Sequence, residues 1–272
     1  MKKKLLLLFT AACMIVSLLP FVAMIFHPTE GTIGNERETL FPSYKDEEGK
    51  FNTDFLSQMG DYFSKHFAFR PEIITADAKI QEKLFMTSNI SSVICGKNDW
   101  LYYSSTKDDY TGSNPMSEDE IAALVNNLEI IQTYSHMKGA EFLFTIAPNK
   151  NTLYPENMPY YYIKSGEIYN RDTVSEALEK SDINYCNLFT VFEKENEVLY
   201  FARDSHWNNK GALLAYNNLE DSLGKSHEDY VNVTIERKKD FTGDLEKMVF
   251  PASKQKEFNF YYGAEIGRAS CR

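Results

Sequence analysis

The feature that most constrains this chain is a run of 22 residues, Leu5 to Phe26, without a charged side chain, placed directly after Lys2, Lys3 and Lys4. At about 1.5 Å per residue a helix of that length spans roughly 33 Å, enough for the hydrocarbon core of a bilayer. A cleavable signal peptide has an apolar stretch of only about 7–15 residues and a small-x-small exit. This run is longer and ends Phe26-His27-Pro28. Thr10-Ala11-Ala12-Cys13 faintly resembles a lipoprotein box, yet the residues after Cys13 stay apolar. Residues 1–27 therefore read as an uncleaved signal anchor, with a cleaved signal and a lipoprotein as the alternatives. The lysines hold the N-terminus in the cytoplasm and send the rest out. The expected location is the cell membrane, single-pass, with an extracytoplasmic domain.

The remainder of the chain is long enough for one domain with a sizeable core. The net charge of −10 becomes more acidic still once the three leading lysines are set aside. Such a surface repels nucleic acid, so no nucleic-acid partner is expected. Aromatic content of 14%, with 17 Tyr and 19 Phe, excludes global disorder. It reads first as a Tyr/Phe-rich core and second as platforms for sugars. Cys13 lies in the apolar run and Cys271 in the terminal tail. Cys95 and Cys186 read as two buried thiols, with a disulfide between them as the alternative. No Cys-x-x-Cys pair occurs, and no cofactor motif is found.

Residues 28–50, with Pro28, Gly31, Gly34, Pro42 and Gly49, read as a stalk or extended arm. A domain is expected over 51–264. Phe55, Met59, Tyr62, Phe63 and Phe67 recur at helical spacing over 54–66, and Pro71 opens a second helix to about Met86. Asp99 to Tyr103 is a short strand. Ser117-Glu-Asp-Glu120 is a capping box for a helix to about Met137, closed by Lys138-Gly139. Ala140 to Ala147 is a nearly continuous apolar run of the kind found in strands buried on both faces. Helices over 172–180 and 209–223, the latter ended by Gly224, alternate with strands over 183–187 and 197–202. Weak strand patterns come last, at Val231–Glu236 and Phe258–Tyr262. The alternation predicts an α/β fold, three layers (α/β/α) around a mostly parallel sheet. The last eight residues, 265–272, resemble the in-frame translation of a common sequencing adapter. They are expected to be an artefact, with the natural sequence continuing past Ala264.

In such a sheet ligands gather at the carboxyl ends of the strands. Two segments fall there: Pro148-Asn149-Lys150, with Tyr154 and Pro155 beyond, and Arg203-Asp204-Ser205-His206-Trp207-Asn208. A histidine titrates near neutrality and suits a general base, and a carboxylate is needed to fix its tautomer. Asp204 stands two residues from His206, with Asn208 or Asn209 left to cap the next helix and Trp207 to close the apolar side. Taken alone, an Asp-x-His pair is more often a surface loop. By spacing it could be half a metal site, but no further His/Asp/Glu cluster supports one, so no metal is expected. Ser205, between the two, is expected to point away from the imidazole. Lys150 and Tyr154 either line a substrate site or serve loop and core; Arg70 and Arg203 are exposed salt-bridge partners or substrate clamps.

The stretch Arg203-Asp-Ser-His-Trp-Asn-Asn-Lys-Gly-Ala212 resembles the motif that names the bacterial DHHW family, with Ser205 in place of its second position. The same Asp-x-His-Trp pattern occurs in the SGNH-hydrolase-like AlgX/AlgJ proteins of alginate O-acetylation. Asn35-Glu-Arg37, Phe41-Pro42, Asp61 to Arg70 and Pro148-Asn-Lys150 with Tyr154-Pro155 are similar to further pieces of that pattern, covering roughly residues 35–225. The resemblance implies an SGNH-hydrolase-like fold and a Ser-His-Asp triad for acyl transfer, with Asp204 orienting and His206 as base. Lys150, Tyr154, Arg203 and Trp207 become candidate substrate contacts. Its serine belongs to a Gly-Asp-Ser-like turn after a later strand. Here Gly243-Asp244 is succeeded by Leu245, so the nucleophile is expected beyond residue 264 and this stretch is expected to be inactive.

Two functions are compatible with these features. One is an O-acetyltransferase or acetylesterase acting on a cell-envelope or secreted polysaccharide, with an acyl-donor membrane protein as a possible partner and no cofactor. The other is a non-catalytic polysaccharide-binding or scaffold module of an envelope or export complex.

Overall fold

The computed structural model describes residues 2–24, 26, 33, 36–46, 48–166, 168–227 and 234–262. The elements in chain order are α1 (Lys2–Met24), α2 (Phe55–His66), α3 (Arg70–Phe85), β1 (Val93–Cys95), β2 (Leu101–Tyr103), α4 (Lys107–Thr111), α5 (Glu118–Met137) and β3 (Phe144–Thr145). They continue with α6 (Lys150–Leu153), α7 (Asn170–Glu179), β4 (Tyr185–Cys186), α8 (Leu188–Phe192), α9 (Asn209–Ser222), β5 (Ile235–Phe241), α10 (Asp244–Val249) and β6 (Glu257–Tyr262). Two compact units result, 1–83 with 247–253 and 84–246 with 254–272.

In the first unit α1 is long and apolar enough to cross a membrane, by length and composition. Its C-terminal end meets α2, where the Phe21 ring lies 6.4 Å from Phe63. Phe41 stands edge-on to Tyr62. Arg70, exposed by expectation, instead has a largely covered side chain and grips Glu36 through both guanidinium nitrogens at 2.8 and 3.0 Å. Most of the proposed arm between 28 and 35 lies outside the described residues. So do the expected opening residues Val231–Val233 of a strand, and the tail 265–272.

The second unit is built on the parallel pair β3–β4, with Phe144 opposite Tyr185 and Thr145 opposite Cys186. Successive strand residues point to opposite faces. Phe142, Phe144, Ile146 and Tyr185 face one cluster, where Leu128 of α5 packs with Val174 and Leu178 of α7 and with Ile183. Leu143 and Cys186 face the other, with Leu188 and Phe192 of α8 and Ala215 of α9. Helices thus cover both faces of this pair, which is why Ala140–Ala147 carries almost no polar residue. Among the described residues this is the one parallel ladder; β1–β2 and β5–β6 are antiparallel. The long apolar run yields a two-residue ladder, and the segment 197–202 forms a single bridge, Tyr200 to Trp207, in place of a strand. Cys95 and Cys186 are both buried.

α5 begins as its sequence dictates. Ser117 Oγ accepts from the Glu120 amide while the Glu120 carboxylate accepts from the Ser117 amide at 2.8 Å. Gly139 stands just past its C-terminus at φ 73°, a conformation that a Cβ disfavours.

Candidate functional site

Beyond β3 the chain leaves the sheet through Ala147-Pro148-Asn149-Lys150. The loop 203–208 meets it there. This loop is folded back on itself by the Tyr200–Trp207 bridge and by Asn208, whose amide donates to Leu199 O at 2.7 Å. The Asn208 side chain accepts from Lys210 and Gly211 amides and caps α9. A Cβ at Gly211 would sit 2.6 Å from Leu199 O and 2.9 Å from the Trp207 Cβ, so only glycine lets α9 start this close to the loop.

Together these segments enclose a cavity of about 270 Å³ lined by Tyr102, Tyr103, Thr106, Ala147 to Lys150, Tyr200, Ser205, His206 and Trp207. His206 stands at its edge with a side chain 68% exposed, while the Asp204 side chain is 4% exposed. His206 Nδ1 lies 2.8 Å from Asp204 Oδ1, and the same oxygen accepts the His206 amide at 2.8 Å. An ionised carboxylate only accepts, so this contact puts the proton on Nδ1 and leaves Nε2 as the open, basic nitrogen. Burial pushes the Asp204 carboxyl above its ordinary value, opposed by the amides of Asp244 and His206.

A second carboxylate completes the loop. Asp244, at the start of α10, donates its amide to Asp204 Oδ2 at 2.6 Å. Its Oδ1 accepts the Ser205 amide at 2.7 Å, and its Oδ2 receives the Ser205 hydroxyl at 2.5 Å. Burial pushes Asp244 up, but the Ser205 hydroxyl and amide outweigh it and hold the group below the usual aspartate value. Ligand atoms of Asp204, His206 and Asp244 lie within 4.8 Å of one another. Asp244 is thus a third group beside the pair, where the sequence showed none; the carboxylates of Asp204 and Asp244 accept N–H and O–H donors from His206, Asp244, Ser205 and Leu245, while His206 Nε2 stays open. Asp244 stands forty positions from Asp204, and no short-range pattern links the two in the sequence. Gly243 lets the two segments approach, since a Cβ there would collide with the Arg203 carbonyl, a requirement that only the folded chain reveals.

The remaining candidates separate. Trp207 lines the cavity and packs on Phe192 at 5.6 Å. Lys150 also lines it but is 6% exposed, with its ammonium turned to backbone carbonyls. Tyr154 does not line it. Its hydroxyl accepts the Leu199 amide at 2.8 Å and its ring lies 4.8 Å from Trp100, a packing role. Arg203 is not an exposed clamp: its guanidinium is buried against Glu246, and its Nη1 donates to Asp99 O at 2.9 Å. Ser205 does not point away from the imidazole, since its Oγ lies 3.2 Å from His206 Nδ1. That is the nitrogen Asp204 already holds, and the hydroxyl proton faces Asp244, so the contact is not that of a nucleophile with its base.

The fold and this site define an α/β domain with a histidine–carboxylate pair at the rim of its parallel strands. Residues 93–262 match the family described as SGNH hydrolase-like domain, acetyltransferase AlgX. The chain belongs to that family, as the loop 203–212 suggested. No curated protein matches the sequence. Among solved structures, Pseudomonas aeruginosa AlgX is 16% identical with a TM-score of 0.43, covering 64% of this chain and 46% of that one. The O-acetyltransferase domain of Pseudomonas putida AlgJ is 16% identical, TM-score 0.40, covering 64% and 67%. Bacillus cereus PatB1 with a sulfonyl adduct is 17% identical, TM-score 0.43, covering 62% and 55%. The chain spans about half the length of the AlgX and PatB1 structures.

Proposed function

We propose that this is a membrane-anchored, extracytoplasmic acyl-handling protein, an O-acetyltransferase or acetylesterase acting on an envelope or secreted polysaccharide. In this reading α1 is the anchor, residues 51–264 carry the working domain, and an acyl-donor membrane protein supplies the acetyl group. The observation that supports it is the 2.8 Å contact of His206 Nδ1 with the buried Asp204 carboxylate, at the edge of a cavity that the imidazole borders. His206 Nε2 takes the proton of an attacking hydroxyl as that oxygen bonds to the acyl carbon. The imidazolium, steadied by Asp204, then returns the proton to the departing oxygen. Ser205 is not the hydroxyl that forms the acyl-enzyme in this reading, because its Oγ meets Nδ1, the nitrogen that Asp204 already holds. Tyr103 and Trp207, at the cavity, suit a sugar ring.

The test is acetyl release from p-nitrophenyl acetate, and acetyl transfer to oligosaccharide acceptors, by protein expressed from the complete gene. His206→Ala is expected to lower kcat/KM by about 10²–10⁴-fold. Unchanged turnover in that variant removes the proposal. Glycan binding that persists without any turnover in the unaltered protein supports the scaffold alternative instead.

A further inference from the structure

Lys150 is the one lysine of the cavity, and its environment is unusual for an ammonium group. The side chain is 6% exposed. Its Nζ donates to Leu101 O at 2.6 Å, Ala202 O at 2.7 Å and Asp204 O at 3.0 Å. An ammonium has three hydrogens and no acceptor, so three carbonyls use it completely. The rings of Trp100 and Tyr102 stand 4.9 and 5.2 Å from the nitrogen and supply the negative faces that a desolvated cation favours. No donor is left to reach a substrate.

The three carbonyls belong to segments far apart in sequence. Leu101 is in β2; Ala202 and Asp204 bracket Arg203 at the turn that carries the Asp–His pair. Ala202 O also receives the Leu101 amide at 2.9 Å, so one lysine and one amide together bolt β2 to that turn. Asp204 is thereby held at both ends of the residue: its carboxylate by the His206 and Asp244 amides, its own carbonyl by Lys150. A carboxylate that orients a histidine works only if its own backbone does not drift.

We infer that Lys150 is a positioning residue which fixes the backbone of Asp204, and through it the Nδ1-protonated orientation of His206. The functional meaning rests on the acyl-transfer reading above, but the positioning itself does not. Burial draws the Lys150 ammonium down to about 7, against the pull of the Glu257, Asp204 and Asp244 carboxylates and with the repulsion of Arg203. A neutral amine keeps only two hydrogens for three carbonyls, so the bolt loosens once the proton leaves.

The experiment is proton NMR of the full chain at pH 6.5, tracking the low-field Nδ1–H signal of His206 bonded to Asp204, which is readable whether or not acetyl esters turn over. The unaltered protein is expected to show this signal. In Lys150→Met and in the milder Lys150→Gln it is expected to broaden or vanish, while the amide spectrum of α5 and α7 stays native. A folded Lys150→Met or Lys150→Gln protein with the signal unmoved overturns the inference. Should neither variant fold, the unaltered protein decides. Its Leu101, Ala202 and Asp204 carbonyl ¹³C signals are expected to move together as Lys150 Nζ titrates, and fixed carbonyl signals overturn the inference. Loss of the signal in Lys150→Met alongside full activity in His206→Ala removes the acyl-transfer reading and leaves the positioning role intact.

Discussion

Removing the Glu246 carboxylate takes away the buried counter-charge that the Arg203 guanidinium rests against. The two side chains are 3% and 4% exposed, and the Arg203 amide and carbonyl are held as well, by Glu257 Oε1 at 2.9 Å and by the Glu246 amide at 3.0 Å. In Glu246→Ala the guanidinium keeps its bond to Asp99 O but loses its counter-ion. Breaking a buried pair by deleting one partner costs about 3–5 kcal/mol, because the remaining charge stays in the interior without the carboxylate that compensated it. For a domain of this size each kcal/mol shifts Tm by about 2–4 °C, so the expected loss is roughly 6–20 °C. Thermal unfolding monitored by near-ultraviolet circular dichroism measures it. The double variant Arg203→Met/Glu246→Leu removes both charges and is expected to melt well above the single one. A drop of under about 2 °C in Glu246→Ala, or a double variant no better than the single, refutes the burial argument and restores Arg203 as a candidate for substrate contact.

Gly243→Ala forces a methyl group into the Arg203 carbonyl and is expected to displace the loop, lowering Tm and erasing the His206 Nδ1–H signal together. Ser117→Ala removes one arm of the capping box and is expected to cost about 1 kcal/mol in urea unfolding, with the cavity untouched. The Arg70 hydrogen bond and charge hold Glu36 below its ordinary value. A carboxylate depressed in the folded state stabilises above its unfolded pKa, and that contribution disappears as pH falls through the folded one. Arg70→Met is therefore expected to be less stable than the parent at pH 6, with the gap closing below about pH 4; a gap that widens in acid contradicts the pairing.

Elements whose signals are local were legible in the sequence. α2, α3, α5, α7 and α9 fall within a residue or two of the spacing and caps that announce them, because a capping box or a terminal glycine acts within one turn. Strands are harder to read, since a ladder depends on a partner that the strand's own residues do not name. Ala140–Ala147 reads as eight strand residues and pairs over two, and 197–202 reads as a strand but serves as the arm of a tight loop. At the site, Asp204 and His206 were visible because two positions separate them. Asp244 and Glu246 act across roughly forty, and nothing in Gly243-Asp-Leu245 announces whom it will meet. Lys150 stands out in the sequence for the wrong reason: a lysine after an apolar strand suggests a ligand contact, and only three-dimensional burial shows the ammonium spent on backbone.

The most direct test of the Asp204–His206 pair is covalent labelling of the protein from the complete gene with an aryl sulfonyl fluoride, read by intact mass and peptide mapping. The account predicts one adduct, on a serine other than Ser205, forming at least about a hundredfold more slowly in His206→Ala. An adduct on Ser205, or labelling that proceeds at the same rate without the imidazole, contradicts it.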